Sequence, residues 1–293
     1  MKQKKKRLFN KIKKIGVIGA GTMGHGIALV SARSGYDVVI TDVNKRFVKE
    51  GIRKIEKFLS ESIKKGKMTE YEKNKVLSKI KGSINLIDVK DCDFIIEAIV
   101  ENANLKKKLF RELDNLCPQN TIFASNTSTI SITEMASATR RPDKFIGMHF
   151  MNPAPIMKLV EIIRGLKTSN ETIKIIKEVA QKMEKIPIEV KDSPGFISNR
   201  VLMPMINEAI HCLREGVATK EAIDNIMKIG MNHPMGPLEL ADLIGLDTCL
   251  YIMEELYKGF SNPKYKPCPL LKKMVRAGYL GRKTGRGFYM YKR

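Results

Sequence analysis

The chain has 293 residues, 43% hydrophobic and 29% charged, the balance of a globular protein with room for two domains and a sizeable core. No apolar run reaches membrane-spanning length, no export leader can be read, and five cysteines (92, 117, 212, 249 and 268) stand apart with no C-x-x-C pair, which points to reduced thiols in a cytoplasm and to neither a disulfide frame nor a metal site. The formal charge of +22 reads either as lysine spread over helix faces or as attraction for a polyanion, whether nucleic acid or a phosphate-rich substrate.

Eight basic residues and no acid fall in residues 1–14, so residues 1–13 read as a mobile basic arm. No aromatic platform or helical period accompanies them, and nucleic acid is not the expected partner. Lys14-Ile15-Gly16-Val17-Ile18 then reads as a buried strand that breaks at Gly19. Met23, Ile27, Ala28 and Val30 follow at helical spacing. Gly19, Gly21 and Gly24 occupy the G-x-G-x-x-G positions, with Ala20, Thr22 and Met23 between them. The first glycine allows a tight turn, the second lets backbone approach a pyrophosphate, and the third lets helix pack on strand. The helix's first N–H groups and its positive end would face the phosphates. A second strand, Tyr36 to Asp42, ends in an acid about twenty residues on, where an adenosine ribose would lie. Asp42 can accept from the 2′-hydroxyl and would repel a 2′-phosphate, which favours NAD over NADP, while Lys45 and Arg46 are close enough to soften the preference.

Residues 44–81 read as two charged helices broken at Gly66-Lys67-Met68-Thr69, with Thr69 and Glu72 as a capping box. This hairpin is long for a simple crossover and is expected to project. Lys64, Lys65 and Lys67 at its tip are either solvated or ligand-facing. Asp93 to Val100 reads as a central parallel strand delivering Glu101 and Asn102 to the carboxyl edge, where ligands of open α/β sheets collect. A helix over 103–116 and the strand Thr121 to Ala124 follow. The strand ends in Ser125-Asn126-Thr127-Ser128, four residues that either cap a helix near Ile130 or serve a ligand at the same edge.

Phe145 to Phe150 and Lys158 to Ile163 read as strands interrupted by Asn152-Pro153-Ala154-Pro155. Residues 149 and 161 lie equally far from Pro155, so a fold-back there brings a carboxylate to an imidazole, a catalytic pair at the ligand edge. A helix over 170–183 and the strand Ile186 to Val190 close the first domain, taken as residues 14–191. Lys191-Asp192-Ser193-Pro194-Gly195 punctuates the chain, and residues 192–293 read as an all-α second domain. Its first helix, from about 196, carries Asn199 in its first turn, from where it could reach back into the cleft. The helix presents a broad apolar face (Ile197, Val201, Leu202, Met205, Ile206), and the domain has more apolar surface than one small bundle needs, which suits a dimerisation module. The tail from Gly281 to Tyr289 is basic and glycine-rich, with a single repeat that does not make an RNA-binding box.

The stretches GAGTMG, ASNTS, GMHFMNPAP, KLVEII, PGFISNR, NHPMGPLELAD and GRKTGRGFY, in this order and spacing, resemble the short-chain L-3-hydroxyacyl-CoA dehydrogenases. Within that family the chain is most similar to the bacterial 3-hydroxybutyryl-CoA group, from about Lys14 to Tyr291. The resemblance implies a Rossmann-like NAD domain and a helical dimerisation domain with a substrate cleft between them. It implies an NAD-dependent oxidoreductase of fatty acid and butyrate metabolism, acting on 3-hydroxyacyl-CoA or 3-ketoacyl-CoA. His149 and Glu161 fall on the family's catalytic histidine and its carboxylate partner, and Ser128 and Asn199 on its substrate-binding serine and asparagine. The family's cofactor contacts fall on Gly19 to Gly24, Asp42, Glu101, Lys106 and Lys283, with Asn126 in the same motif as Ser128. Lys65 is the nearest match to its coenzyme A lysines, although residues 58–65 depart from the usual pattern. SNTST and HFMNP are milder departures that keep the reactive positions. A dehydrogenase of a free hydroxy acid or sugar acid is the alternative on this scaffold, followed by a non-catalytic nucleic-acid binder.

Overall fold

The computed structural model describes residues 12–292, so the basic arm lies outside the described residues except for Ile12 and Lys13. The chain divides into two units between Asp192 and Ser193. In the first, one eight-stranded sheet has the order β3-β2-β1-β4-β5-β6-β7-β8. Its strands are β1 (Lys14–Ile18), β2 (Asp37–Thr41), β3 (Ile80–Ser83), β4 (Phe94–Glu97), β5 (Ile122–Ser125), β6 (Phe145–Phe150), β7 (Leu159–Arg164) and β8 (Ile186–Lys191). β1 to β6 are parallel, β7 runs antiparallel to β6, and β8 runs parallel to β7. Apolar runs such as Phe94-Ile95-Ile96 and Phe145-Ile146 are buried throughout, as strands covered on both faces require. Pro187 sits in β8, an edge strand, where its missing N–H costs no ladder bond to a further strand.

Among the described residues six α-helices belong to this unit: α1 (Gly24–Arg33), α2 (Lys45–Lys64), α3 (Glu70–Leu77), α4 (Ala103–Leu116), α5 (Ile132–Ala136) and α6 (Asn170–Lys182). Most start as their sequences dictate. Asn44, Asn102, Ser131 and Ser169 each accept from a backbone N–H of the first turn, and Thr69 with Glu72 forms a full capping box. The stripe Ile27-Ala28-Leu29-Val30 of α1 and the Ile173, Ile176 and Val179 stripe of α6 join β1, β2, β4 and β7 in one core. Each such aliphatic side chain contributes about 1.5–3 kcal/mol by leaving water.

Residues 44–81 depart from the expected hairpin in two ways. They end in β3, whose four residues IKGS carry too little apolar pattern to announce a strand. Nor does the first helix project freely, because α2 buries Val48, Gly51, Ile55 and Leu59 on one side. β4 is shorter than the apolar run 93–100 suggests, since the chain leaves the sheet after Glu97.

The second unit is helical, with α7 (Ser198–Arg214), α8 (Lys220–Asn225), α9 (Pro237–Ile244), α10 (Leu246–Phe260) and α11 (Pro269–Arg276). Met203, Ile206, Ile210, Leu238, Cys249, Met253 and Leu271 form its core. Its first helix begins two residues later than the apolar pattern suggests, because Phe196 takes a left-handed conformation with φ of 51°. The glycine-rich tail is a clasp: Asp242 accepts from the N–H groups of Phe288 and Tyr289 and from the Tyr291 hydroxyl. Tyr289 also donates to Asp224, which receives the first N–H groups of α9. No helix of the described residues is long and apolar enough to cross a membrane.

Candidate active site

The strand order reverses between β1 and β4, and Gly19 lies at that crevice. Its φ is 104°, and a Cβ there would stand 2.5 Å from the Ala98 carbonyl oxygen, so both conformation and space demand glycine. A Cβ on Gly24 would sit 1.8 Å from the Gly19 oxygen, which is how closely α1 returns on the strand that feeds it. Gly21 differs, because a Cβ there meets nothing within 4 Å. Met23 opens α1 without a side-chain cap, His25 N donates to the Gly21 carbonyl at 3.2 Å, and the positive end of the helix lies beside the open space at Gly21. Asp42, at the end of β2, accepts from the N–H of Ala20 at 2.8 Å and ties the loop to the second strand. Helix end and open approach fit a dinucleotide's pyrophosphate at Gly19 to Gly24 and a ribose at Asp42.

Beside this loop lies a buried carboxylate network that sequence reasoning caught only in part. Glu97 closes β4 with no exposure and accepts from Lys106 Nζ at 2.6 Å, Ser125 Oγ at 2.5 Å and Ile99 N at 2.7 Å. Burial pushes its carboxyl upward against the pull of Lys106 and these hydrogen bonds. Lys106, expected as a cofactor contact, is 1% exposed and also reaches Glu101 at 3.2 Å, so its charge answers one buried and one half-buried acid. Glu101 Oε1 accepts from Thr127 Oγ1 at 2.5 Å, Ser128 N at 2.9 Å and Thr129 N at 3.2 Å. Burial works against its charge and is the largest single influence. The Lys106 ammonium, the Thr127 hydroxyl and the Ser128 N–H outweigh it and hold the carboxyl below its ordinary range.

Glu101 therefore fixes the backbone of Ser128. The segment Ser125 to Ser128 is not a helix cap. The next helix, α5, starts at Ile132 and is capped by Ser131 and by Asp192, whose carboxylate receives Thr133 N at 2.8 Å. Asn126 Oδ1 instead accepts from Phe150 N at 2.8 Å, locking β5 to the end of β6.

The register between β6 and β7 sets His149 opposite Glu161, the pairing that equal spacing about Pro155 requires. Glu161 Oε2 lies 2.8 Å from His149 Nδ1, and Ser128 Oγ lies 3.1 Å from Nε2. Histidine and glutamate are 7% and 3% exposed. An ionised Glu161 can only accept, so Nδ1 carries a proton toward it and Nε2 is left with a free electron pair beside Ser128. Three of the expected site residues thus meet through their side chains, with Glu101 bracing one of them.

The remaining candidates stand elsewhere. Lys65 is exposed at the end of α2. Asn199 lies in the first turn of α7, and Lys283 pairs with Asp247 at 2.6 Å within the second unit. Glu97 was not singled out in the sequence, and Ser125 and Thr127 were read only as part of the Ser125 to Ser128 segment. The signal was present, because an acid closing a fully apolar parallel strand needs a buried cation, and Lys106 follows on the next helix. Among the described residues no cluster of three or more His, Cys, Asp or Glu side chains could hold a metal ion.

A glycine loop at a sheet's switch point, an acid at the end of the second strand and a histidine held by a carboxylate define a dinucleotide-dependent dehydrogenase. The model of the 3-hydroxyacyl-CoA dehydrogenase NAD binding domain matches residues 14–193, and that of the family's C-terminal domain matches residues 195–291. The chain belongs to the 3-hydroxyacyl-CoA dehydrogenase family and is an oxidoreductase. It is 56% identical over 280 residues to a probable 3-hydroxybutyryl-CoA dehydrogenase of Bacillus subtilis, covering 96% of this chain and 98% of that protein. It is 43% identical over 291 residues to the human mitochondrial hydroxyacyl-coenzyme A dehydrogenase, covering 96% and 92%. The crystal structure of the (S)-3-hydroxybutyryl-CoA dehydrogenase of Ralstonia eutropha superposes with a TM-score of 0.94 at 52% identity, covering 96% of this chain and all of that one.

Proposed function

We propose that the chain interconverts 3-hydroxybutyryl-CoA and acetoacetyl-CoA in the cytoplasm, uses NAD in preference to NADP, and works as a homodimer joined through its helical unit. The names of the Bacillus and Ralstonia relatives support the four-carbon substrate. The observation that carries the chemistry is His149, hydrogen-bonded through one ring nitrogen to Glu161 and through the other to Ser128.

A bound nicotinamide supplies the redox chemistry, taking or giving a hydride, and the chain's residues handle the proton. In oxidation His149 Nε2 takes the proton of the substrate's 3-hydroxyl. In reduction the imidazolium returns it to the 3-oxygen. Glu161 keeps the proton on Nδ1 and stabilises the cation that forms, the orienting role a carboxylate plays in other histidine sites. Ser128 donates to the substrate oxygen as charge gathers there, which contributes a few kcal/mol at most. Asn199 is assigned a second substrate hydrogen bond and Lys65 a coenzyme A phosphate, both on the strength of their motifs.

The order serine, histidine, glutamate also occurs in acyl-transfer triads, but the N–H groups of Ser128 and Thr129 that would have to receive an oxyanion already donate to Glu101. That favours proton transfer over attack on the thioester.

The test is His149→Gln, assayed by NADH oxidation with acetoacetyl-CoA and by fluorescence titration of NADH. Turnover should fall by about 10²–10⁴-fold with the NADH dissociation constant within threefold of normal. Surviving turnover removes His149 as the base. Equal use of free acetoacetate would move the substrate class to a free acid.

A further inference from the structure

One cavity of the first unit lies away from the catalytic histidine and the glycine loop. It is a groove of about 910 Å³ walled by the end of α1, by α3, by the β6–β7 connection and by the turn from α6 into β8. Neither Lys65 nor any of the site residues above lines it.

Its chemistry is distinct. Seven of nineteen lining residues are Lys or Arg and two are Glu, against 53 and 31 in the 293-residue chain. Cations are thus enriched about twofold while acids are not, so the lysine-rich composition alone does not account for the lining. Arg33 is answered by Glu184 at 3.6 Å and Lys79 by Asp37 at 3.0 Å. Lys67, Lys75 and Lys158, by contrast, have no carboxylate within 4.0 Å among the described residues, while the Lys182 ammonium sits over the Tyr36 ring, 4.0 Å from its centroid. Lys67 precedes α3, Lys75 lies on α3 and Lys158 on the β6–β7 connection, and all three line the same groove. Buried Val30, Val76 and Met183 supply an apolar floor.

The groove is also a built feature. Lys185, 7% exposed, donates to the carbonyls of Ala154 at 2.6 Å and Met157 at 2.8 Å, which fixes the wall carrying Pro155, Ile156 and Lys158. The same wall packs on α1, where a Cβ on Gly26 would come within 3.2 Å of Ala154 and Pro155.

We propose that this groove is an anion site for a ligand bearing adjacent phosphates, separate from the glycine loop. Ammonium groups lining a groove with an apolar floor suit a polyphosphate attached to a ring, and the volume falls in the range of small-molecule sites, about 300–1,000 Å³. Two sources share that chemistry: the phosphate-bearing end of the thioester substrate, which rests on the function proposed above, and a free nucleotide or polyphosphate, which does not.

The variant Lys75→Glu/Lys158→Glu separates them. Tripolyphosphate is the probe, titrated by calorimetry against the full chain. A second variant, Lys174→Glu/Lys258→Glu, changes the same charge at exposed positions outside the groove. Melting temperatures establish that each variant folds. Tripolyphosphate should bind the parent and the control alike and the groove variant at least tenfold more weakly. KM is then measured for acetoacetyl-CoA and for acetoacetyl-N-acetylcysteamine, a thioester without phosphates. A rise in KM of fivefold or more for acetoacetyl-CoA alone identifies the substrate as the source. Unchanged KM for both, with tripolyphosphate binding lost, identifies a separate ligand. The proposal is overturned if the groove variant matches the parent in both measurements, or if the control loses binding equally. Turnover of the phosphate-free thioester reports on His149 chemistry, so failure there counts against the function and not against the groove.

Discussion

Asp42 spends one carboxylate oxygen on Ala20 N and the other on Val43 N, each at 2.8 Å, yet each oxygen keeps a second lone pair for a ribose hydroxyl. Its charge is what discriminates, because a 2′-phosphate would have to sit against it. Lys45, Arg46 and Lys49 cluster at the start of α2 just beyond, so the surroundings already favour an anion once the acid is gone. Asp42→Arg should raise the ratio of kcat/KM with NADPH to that with NADH at least about tenfold, equivalent to about 1.4 kcal/mol. An unchanged ratio in paired assays would remove Asp42 as the discriminating residue. Glu101 makes a different prediction. Its carboxyl is held below the ordinary 4.5, so the unfolded chain binds the proton more readily and folding gains stability above that pH. This contribution is lost as pH falls through the folded value. Melting curves of the parent and Glu101→Gln should therefore converge on acidification below about pH 4.5 and separate toward neutrality. Parallel curves across that window would mean that Lys106, Thr127 and Ser128 do not hold the charge.

At the level of elements, the glycine loop separates two demands that one motif combines. Gly24 is required by packing, since the nearest atom to a Cβ is backbone that cannot swing aside, whereas Gly21 faces open space. Gly24→Ala should cost about 1–3 kcal/mol of stability together with NADH binding. Gly21→Ala should keep its melting temperature and lose only NADH affinity. Thermal denaturation with NADH titration checks both, and a destabilised Gly21→Ala would contradict the division of labour. This loop and the β6–β7 hairpin were legible in the sequence for physical reasons. Glycine pattern and switch point go together, and two strands flanking a proline turn can pair in few registers, so residues 149 and 161 meet. β3 was not legible because an edge strand of four residues needs no apolar alternation. Lys106 was legible only in part, for a related reason. Its matching position suggests a ligand contact, and only the packed structure reveals that its ammonium is consumed by Glu97 and Glu101. Ser125 to Ser128 have side chains equally able to cap a helix or to serve a site, and the choice depends on Glu97, Glu101 and Phe150, partners distant in sequence.

For the whole molecule the proposed homodimer raises the question of how a chain of +22 would associate with its own copy. The helical unit leaves Ile226, Ile229 and Met231 exposed at 59%, 83% and 61% within six residues, and Val201 and Val217 at 66% and 70%. Such density of exposed large apolar side chains marks a contact surface more often than open solvent. In a two-fold dimer every residue of the patch counts twice, so modest truncation has a large effect. Each isoleucine withdrawn from water is worth about 1.5–3 kcal/mol, which makes Ile226→Gln/Ile229→Gln sufficient to shift the dimer toward monomer by several orders of magnitude, with no change in net charge. Opposing this attraction is the mutual repulsion of two strongly basic chains. Added salt shortens the Debye length from about 10 Å at 0.1 M to about 3 Å at 1 M and removes much of that repulsion, while leaving apolar burial intact. Sedimentation velocity should therefore record a parent dimer whose dissociation constant falls as salt rises and a double variant that sediments as a monomer at the same concentration. A dimer that salt dissociates would be held by ion pairs instead, and a double variant that stays dimeric would place the interface on another surface.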